Sequence, residues 1–212
     1  MQGDDCPLCG GTSAPFHHSD RLFLSCGACA LVFVPARQHL SLEQERSRYS
    51  THRNSPEDSG YRAFLDRLLI PLTARLVTGA CGLDYGSGPG PAVSTMMRER
   101  GFVMADYDPF FAPDEAPLRA TYDFVTCTEV VEHLRRPIDA FSHIDALLRP
   151  GGVFGILTGV LESDNEFAPW WYHRDVTHIA FYRPNTLEWI ARHFHWRLER
   201  ASRDAAFFQK FA

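Results

Sequence analysis

Four cysteines near the start of the sequence have the spacing of a metal site. Cys6 and Cys9 form one C-x₂-C pair, Cys26 and Cys29 form a second, and sixteen residues separate the two pairs. Two-residue spacing lets both sulfurs of a pair face one ion, and two pairs complete a closed tetrahedral site. Residues 1–35 therefore predict a zinc ribbon with structural zinc, because no ligand position stays open for water. Two disulfides, or free thiols, are the alternative.

A glycine-rich sequence, LDYGSGPGP, occupies residues 83–91. Glycine lets the backbone turn sharply and lets a ligand approach where a Cβ would collide. The spacing D-x-G-x-G-x-G differs from the G-x-G-x-x-G of dinucleotide sites, and the acid before the glycines, Asp84, suits a ligand with an ammonium group. About twenty residues later Asp108 can bond both hydroxyls of a ribose, with Asp106 as a competitor. A glycine turn without a ligand is the alternative.

Groups suited to proton transfer follow two later strand-like runs. Glu132 and His133 come after the run at 124–128, and with Glu129 they would share one face of a helical turn. His173 and His178 lie in the aromatic and polar sequence WWYHRDVTH, whose composition fits a small-molecule pocket. We expect His133, His178 or His173 to act as a general base, with Glu132 beside it. The alternatives are a solvated turn, aromatic core packing, or a metal held by the H-x-D-x-x-H spacing.

The elements that position these groups alternate between short strand-like and helical runs from about residue 80. That alternation predicts a doubly wound α/β fold over residues 79–212, with a parallel sheet covered on both faces. Residues 36–78 read as a linker followed by an amphipathic helix that begins near Tyr61 and contains Pro71. The runs at 195–201 and 206–212 predict a closing antiparallel pair.

The sequences LDYGSGPG, YDPFF, YDFVTCTEVVEHLRRP and LLRPGGVFGILT resemble, in order, the motifs of class I S-adenosylmethionine-dependent methyltransferases. The resemblance is closest to the ubiquinone-pathway O-methyltransferases. It implies a Rossmann-like sheet of seven strands and S-adenosylmethionine as cofactor, with Asp84 orienting the methionine amino group and Asp108 holding the ribose. The other cofactor contacts implied by the resemblance are Tyr85, Gly86, Gly88, Gly90, Pro109, Cys127, Thr128 and Glu129.

One departure from the family pattern concerns the third strand. Only fifteen residues separate Asp108 from Phe124, too few for the usual full helix and strand. We expect the third strand to be short or missing, and Asp114 is the suggested partner of the adenine.

The net charge and composition limit the classes of molecule that the protein can be expected to bind. The net charge is -5 and Lys210 is the sole lysine, which argues against a wide basic surface for nucleic acid. The sequence shows neither a signal peptide nor a membrane span, so we expect a cytoplasmic protein. A small-molecule acceptor is the favoured substrate. One alternative is methylation of RNA or protein, with the ribbon and a patch of Arg46, Arg48 and Arg53 binding the macromolecule. The other is a sensor or scaffold that binds the nucleoside without turnover.

Overall fold

Ten strands and five α-helices follow one another in the computed structural model, which describes residues 4–51 and 55–212. The N-terminal elements are β1 (Ser13–His18), β2 (Leu22–Cys26), β3 (Val32–Phe33), α1 (Leu42–Tyr49) and α2 (Ser59–Thr73). They are followed by β4 (Cys81–Tyr85), α3 (Ala92–Glu99), β5 (Val103–Tyr107), β6 (Tyr122–Thr128), α4 (Pro137–Leu147) and β7 (Leu148–Leu157). The last elements are β8 (Ala180–Phe181), α5 (Pro184–His193), β9 (Trp196–Arg200) and β10 (Ala205–Lys210).

The larger sheet has six strands in the order β5-β4-β6-β7-β10-β9. β5, β4, β6 and β7 pair in parallel, whereas β10 pairs antiparallel with both β7 and β9. The predicted α/β architecture and the predicted closing antiparallel pair are confirmed. The chain leaves β4 toward β5 on one side and returns to β6 on the other, so the carboxyl end of β4 is a topological switch point where such sheets bind ligands.

Within residues 4–51 and 55–212, no seventh strand joins this sheet, and β5 forms its edge. Residues 108–121, all of them described, contain a bridge between Asp108 and Ala112 and one short 3₁₀ helix, Ala116–Arg119. A parallel crossover needs a dozen or more residues before its next strand begins. This stretch is too short for a helix and a strand together, so the chain passes directly from β5 into β6.

Helices cover both faces of the sheet. On one face α2 contributes the buried Leu65, Leu68, Leu69 and Leu72, which pack with Met96 and Met97 of α3. On the other face Phe141 and Ile144 of α4 pack in one cluster with Leu187 and Ile190 of α5. Pro71 lies two residues before α2 ends, so the hydrogen bond that its missing N–H removes belongs to the last turns of the helix. No helix in residues 4–51 and 55–212 is long and apolar enough to cross a membrane.

The second sheet joins the N-terminal segment to the C-terminal part of the chain. Its strand order is β1-β2-β3-β8, and β3 pairs antiparallel with β8, opposing Val32 to Phe181 and Phe33 to Ala180. The cysteine-bearing hairpin therefore completes its sheet with a strand that follows the aromatic segment by two residues. The two parts also share a core, since Leu8 and Cys29 are buried in the same cluster as Val131.

The central strand β4 tolerates no side chain at Gly82. A Cβ there would lie 2.2 Å from ring atoms of Phe124, whose side chain is fully buried and packs edge-on against Phe102. We expect Gly82→Ala to lower the free energy of unfolding by about 2 kcal/mol, the typical cost of overpacking a core. Urea unfolding measures the change. Gly27→Ala is the control, because a Cβ at Gly27 meets nothing closer than the Thr12 carbonyl at 4.0 Å. Equal stability of the two variants would contradict this account.

Candidate active site and cysteine cluster

A cavity of about 750 Å³ opens at the carboxyl ends of β4, β5 and β6. Its volume lies in the range of small-molecule sites, and its walls combine aromatic rings with a few polar groups. Nine of the ten residues expected to contact the cofactor line it: Asp84, Tyr85, Gly86, Gly88, Gly90, Asp108, Pro109, Thr128 and Glu129. Cys127, the tenth, is fully buried within β6, behind the cavity wall.

The loop after β4 is held close to its neighbours by hydrogen bonds. The N–H groups of Gly86 and Ser87 donate to the carbonyl of Tyr107 at 2.8 and 3.1 Å. Gly86 has φ 88°, and a Cβ there would lie 2.5 Å from a methyl of Val130. Gly88 has φ 64° with open space around its Cβ position. Both glycines adopt a left-handed backbone that other residues rarely take, so the loop depends on them.

Asp108 ties this loop to the turn after β5. Its Oδ1 accepts from the N–H groups of Phe110 (2.8 Å) and Phe111 (3.0 Å), and its Oδ2 accepts from the N–H of Gly88 (3.0 Å). Since each carboxylate oxygen can accept two hydrogen bonds, Oδ2 retains capacity for one more donor. The carboxylate therefore builds the cavity wall and still has an acceptor to offer to a ligand.

Asp106, the competitor of Asp108, and Asp114, the suggested partner of the adenine, are not among the residues that line the cavity. Asp106 pairs with Arg98 of α3 at 2.8 Å. Asp114 is exposed and accepts a hydrogen bond from the N–H of Ala116 within its own turn. Asp108 therefore lines the cavity and Asp106 does not, a choice that strand alternation left open, and the Asp114 carboxylate does not line the cavity either.

The side-chain carboxyl groups of Asp84 and Glu129, at the C-terminal ends of β4 and β6, have raised pKa values. Burial raises the pKa of Asp84 to about 7, although the Thr126 hydroxyl donates to its Oδ1 at 2.9 Å and opposes the shift. Burial raises the pKa of Glu129 to about 9, and the nearby Glu132 adds to the rise. A positive charge in the cavity would favour the ionised form of both groups.

His133 and His178 face the cavity as a pair, with ring centroids 4.8 Å apart. Nδ1 of His133 lies 2.9 Å from the carbonyl of Thr177, and Nδ1 of His178 lies 2.8 Å from the carbonyl of Tyr172. A carbonyl only accepts, so each Nδ1 carries a hydrogen, and in the neutral form of either ring the lone pair is on Nε2. Burial lowers the pKa of His178, which keeps this imidazole neutral near pH 7.

Glu132 lies behind the histidines and not at the cavity surface. It is fully buried, and its two oxygens accept from the hydroxyls of Tyr172 (2.6 Å) and Thr158 (2.9 Å). The expectation that Glu129, Glu132 and His133 share one face is wrong, because Glu129 has φ 51° and the following 3₁₀ turn, Val131–His133, is only three residues long. Ligand atoms of Glu132, His133 and His178 lie within 4.8 Å of one another, but the hydroxyls already engage both carboxylate oxygens.

His173 lies outside the cavity, in an aromatic cluster under the N-terminal hairpin. Its ring stacks on Phe167 with centroids 4.7 Å apart and meets Phe23 edge-on. Asp175 accepts from the Thr177 hydroxyl and from Arg48. The H-x-D-x-x-H spacing therefore does not bring its three side chains to one ion.

The segment predicted as a linker supplies a wall of the cavity that the sequence analysis missed. The capping box of Ser41 and Gln44, a pattern visible in the sequence, starts α1. α1 places Tyr49 edge-on to His133 at 5.2 Å and the buried Glu45 against Arg135 at 2.9 Å. Arg135 also donates to the carbonyl of Leu40. An ion pair thus joins α1 to the loop after β6.

The four N-terminal cysteines meet as the spacing predicted. Their Sγ atoms lie within 4.8 Å of one another, with Cys6 to Cys29 at 3.5 Å and Cys9 to Cys26 at 3.4 Å, and none is in a disulfide. Tetrahedral zinc at about 2.3 Å from each sulfur would place the sulfurs about 3.8 Å apart, so this donor set fits one such ion.

The two cysteine turns close in the same way. The N–H of Gly10 donates to the carbonyl of Cys6, and the N–H of Ala30 donates to the carbonyl of Cys26. Both turns end on a left-handed residue, with φ 70° at Gly10 and 60° at Ala30. Backbone N–H groups also point to sulfur, as from Gly11 to Cys9 at 3.4 Å, which stabilises a thiolate.

Comparison with solved structures shows the same fold in methyltransferases. The 1,6-didemethyltoxoflavin-N1-methyltransferase of Burkholderia thailandensis, solved with that compound and S-adenosylhomocysteine bound, superposes with a TM-score of 0.57 at 20% identity. That alignment covers 94% of this chain and 100% of that chain. An O-methyltransferase family protein from Burkholderia thailandensis gives a TM-score of 0.51 at 16% identity, covering 79% and 63% of the two chains.

Sequence comparison points the same way. The ubiquinone biosynthesis O-methyltransferase of Vibrio parahaemolyticus is 32% identical over 71 residues, which is 34% of this chain and 30% of that enzyme, so the match spans less than a third of the curated relative. A family profile described as a methyltransferase domain matches residues 58–201. Since that match covers more than half of the chain, and the cavity lies where its fold binds ligands, the protein belongs to the methyltransferase-domain family.

Proposed function

We propose that this protein transfers a methyl group from S-adenosylmethionine to a small-molecule acceptor. One observation carries the proposal. The glycine loop, fastened by Asp108 at the carboxyl end of the central strand, opens into a cavity that also contains two histidines with free Nε2 atoms. A loop that binds a nucleoside and a group that accepts a proton therefore line the same cavity.

The cofactor end of the cavity fits a cationic nucleoside. S-adenosylmethionine would supply the methyl group from its sulfonium and would bring a second positive charge on its ammonium. Asp84 and Glu129 lie at this end, and a nearby cation favours their ionised forms, so their raised pKa values would fall on binding. Oδ2 of Asp108 can accept from a ribose hydroxyl, and Gly88 leaves room for a ligand against the backbone.

The acceptor end fits a compound that must lose a proton when it is methylated. Nε2 of His178 or His133 would accept that proton, while Nδ1 of each ring keeps its hydrogen on a carbonyl. Glu132 would act through Tyr172 as a positioning group. Alignment of the two reactants and exclusion of water supply most of the help that an in-line displacement needs.

We further propose that the four N-terminal cysteines hold one structural zinc ion. The sulfur separations, the two matching turns and the N–H groups directed at sulfur support this ligand set. The cluster is closed, since three of the four cysteines are buried. A closed site of this kind stabilises a small hairpin that has little apolar core of its own.

Methylation of RNA or protein has less support. The net charge of -5 disfavours a polyanion, and Arg48 is already paired with Asp175 at 3.0 Å. Arg53, another member of the suggested arginine patch, lies outside the described residues. A sensor or scaffold would bind the nucleoside but would not transfer a methyl group, so a measurement of turnover distinguishes it from the proposed enzyme.

Cofactor binding depends on the Asp108 carboxylate. We expect the wild-type protein to bind S-adenosylhomocysteine, and Asp108→Asn to weaken that binding at least tenfold, about 1.4 kcal/mol, because an amide cannot accept at both positions. Calorimetry measures the affinity. Asp106→Asn is the control and should stay within about twofold, since Asp106 pairs with Arg98 outside the cavity. If Asp108→Asn binds S-adenosylhomocysteine as tightly as the wild type does, Asp108 does not contact the cofactor. If the wild-type protein does not bind S-adenosylhomocysteine, the proposed function is wrong.

Turnover depends on neutral His178. Incubation with S-adenosylmethionine and a panel of phenols, amines and carbon acids should form S-adenosylhomocysteine with at least one acceptor. Because burial lowers the pKa of His178, activity should persist below pH of about 6.5 and fall only when this imidazole takes a proton. His178→Asn should lower kcat by about a hundredfold and leave S-adenosylhomocysteine affinity intact.

His193→Asn, on the exposed surface of α5, is the control for the histidine variant. An unchanged kcat in His178→Asn would exclude His178 as the base. Binding of S-adenosylhomocysteine without transfer to any acceptor would instead favour the sensor.

Metal content tests the cysteine cluster. Protein purified in reducing buffer should contain one equivalent of zinc, and Cys9→Ser should lose it together with stability, because three thiolates no longer close the site. Elemental analysis gives the stoichiometry. Cys81→Ser, a half-buried cysteine of β4 far from the cluster in sequence, should keep its zinc. Metal-free wild-type protein with native stability would contradict the assignment.

A further inference from the structure

Arg21, in the turn between β1 and β2, binds four carbonyl groups of one short segment. Nη1 donates to the carbonyls of Val176 (3.0 Å) and His178 (3.1 Å), and Nη2 donates to those of Asp175 (2.9 Å) and His173. The guanidinium has five N–H donors in a fixed plane, a shape that can serve several acceptors at once. A single side chain of the N-terminal hairpin therefore gathers residues 173–178 around itself.

The segment that Arg21 gathers ends in His178. The imidazole of His178 is oriented through Nδ1 by the carbonyl of Tyr172. The backbone N–H of His178 donates to the backbone carbonyl of Asp175 at 3.1 Å. Directly after it, the N–H of Ile179 donates to the carbonyl of Glu132, and the carbonyl of Ile179 accepts from Val34. His178 thus lies between two attachments to the N-terminal segment, the Arg21 guanidinium before it and the backbone that follows β3 after it.

The cysteine cluster supports the same hairpin. β2 begins at Leu22, the residue after Arg21, and ends at Cys26, a member of the cluster. The Arg21 side chain also lies over the ring of Phe23, with its Cζ 5.2 Å from the centroid. An ion in the cluster would therefore fix β2, the strand that begins directly after Arg21.

We propose that Arg21 is a positioning residue, whose guanidinium fixes residues 173–178 and so holds the imidazole of His178 at the acceptor side of the cavity. The N-terminal hairpin is then a part of the active centre. This inference rests on the proposed function, because it gives Arg21 a role in the reaction only if His178 faces the acceptor.

The surroundings of His178 make its titration a local probe. The groups that face it are the Glu132 carboxylate, the His133 imidazole, the Tyr172 ring and the Asp175 carboxylate. Burial opposes protonation of this imidazole, and burial depends on the segment staying closed. Loosening the segment admits water and moves the titration of His178 toward that of a free histidine.

The experiment compares Arg21→Ala and Arg21→Lys with Arg37→Ala in the full chain. Arg37 is the matched control, since it belongs to the same N-terminal segment but pairs with Asp4 at the exposed surface. Histidine labelled with ¹³C gives the titration of His178, assigned by its loss in His178→Asn. Amide hydrogen exchange reports opening at His178 and Ile179. Zinc content shows whether the cysteine cluster is intact in each variant, and S-adenosylhomocysteine affinity shows whether the glycine loop is intact.

We expect Arg21→Ala to raise the titration midpoint of His178 by about half a pH unit or more and to speed exchange of its amide at least tenfold. Arg21→Lys, with a charge but no planar fork, should give an intermediate shift. Both variants should keep their zinc and, within about twofold, their S-adenosylhomocysteine affinity. Arg37→Ala should match the wild type in every measurement.

Wild-type titration and exchange in Arg21→Ala would overturn the proposal. If that variant loses zinc and nucleoside binding together, Arg21→Lys decides: a shifted His178 supports the positioning role, and an unshifted one overturns it. Failure of the wild type to bind S-adenosylhomocysteine would instead count against the proposed function, and the His178 titration would still test the contact of Arg21 with its segment.

Discussion

The cavity takes its form from the hydrogen bonds between the Asp108 carboxylate and three backbone N–H groups. These bonds fasten the glycine loop after β4 to the turn after β5, at the point where the chain has no further strand to extend the sheet. In a seven-stranded sheet a helix and another strand would support this turn. Here the turn doubles back within four residues, through the bridge between Asp108 and Ala112, so the carboxylate supplies the support locally.

A second attachment fixes the opposite side of the cavity. The strand that follows the cysteine cluster, β3, pairs with β8, and the Arg21 side chain reaches the segment just before β8. The hairpin and β3 also contribute buried apolar side chains, among them Phe23, Leu24 and Phe33, to cores that they share with the rest of the chain. An ion held by the four cysteines, as proposed, would further restrict the movement of this hairpin. The methyltransferase domain and the cysteine cluster thus form one structure around the acceptor side.

The sequence indicated those parts of the site whose chemistry is local. The cysteine pairs, the glycine loop and the strands of the α/β fold follow from spacing and periodicity over a few residues. The positions that needed three-dimensional information depend on contacts between distant residues, as for Arg21 with His178 and Arg135 with Glu45. Glu132 would share a face with Glu129 only in a helical turn, and the left-handed backbone at Glu129 prevents that turn. The choice between Asp106 and Asp108 depended on a turn that strand alternation does not describe.

Burial shifts the ionisable groups of the cavity in opposite directions and so divides it into two ends. It raises the pKa values of Asp84 and Glu129 and lowers that of His178, because in each case it disfavours the charged form. Burial therefore favours the uncharged forms of Asp84, Glu129 and His178. A cationic cofactor would restore charge to the carboxyl groups and gain their attraction, while the neutral imidazole stays ready to accept a proton from the other reactant. If the site binds a cationic cofactor and an acidic acceptor as proposed, burial would therefore prepare both the carboxyl groups that attract the cation and the neutral imidazole that accepts the proton.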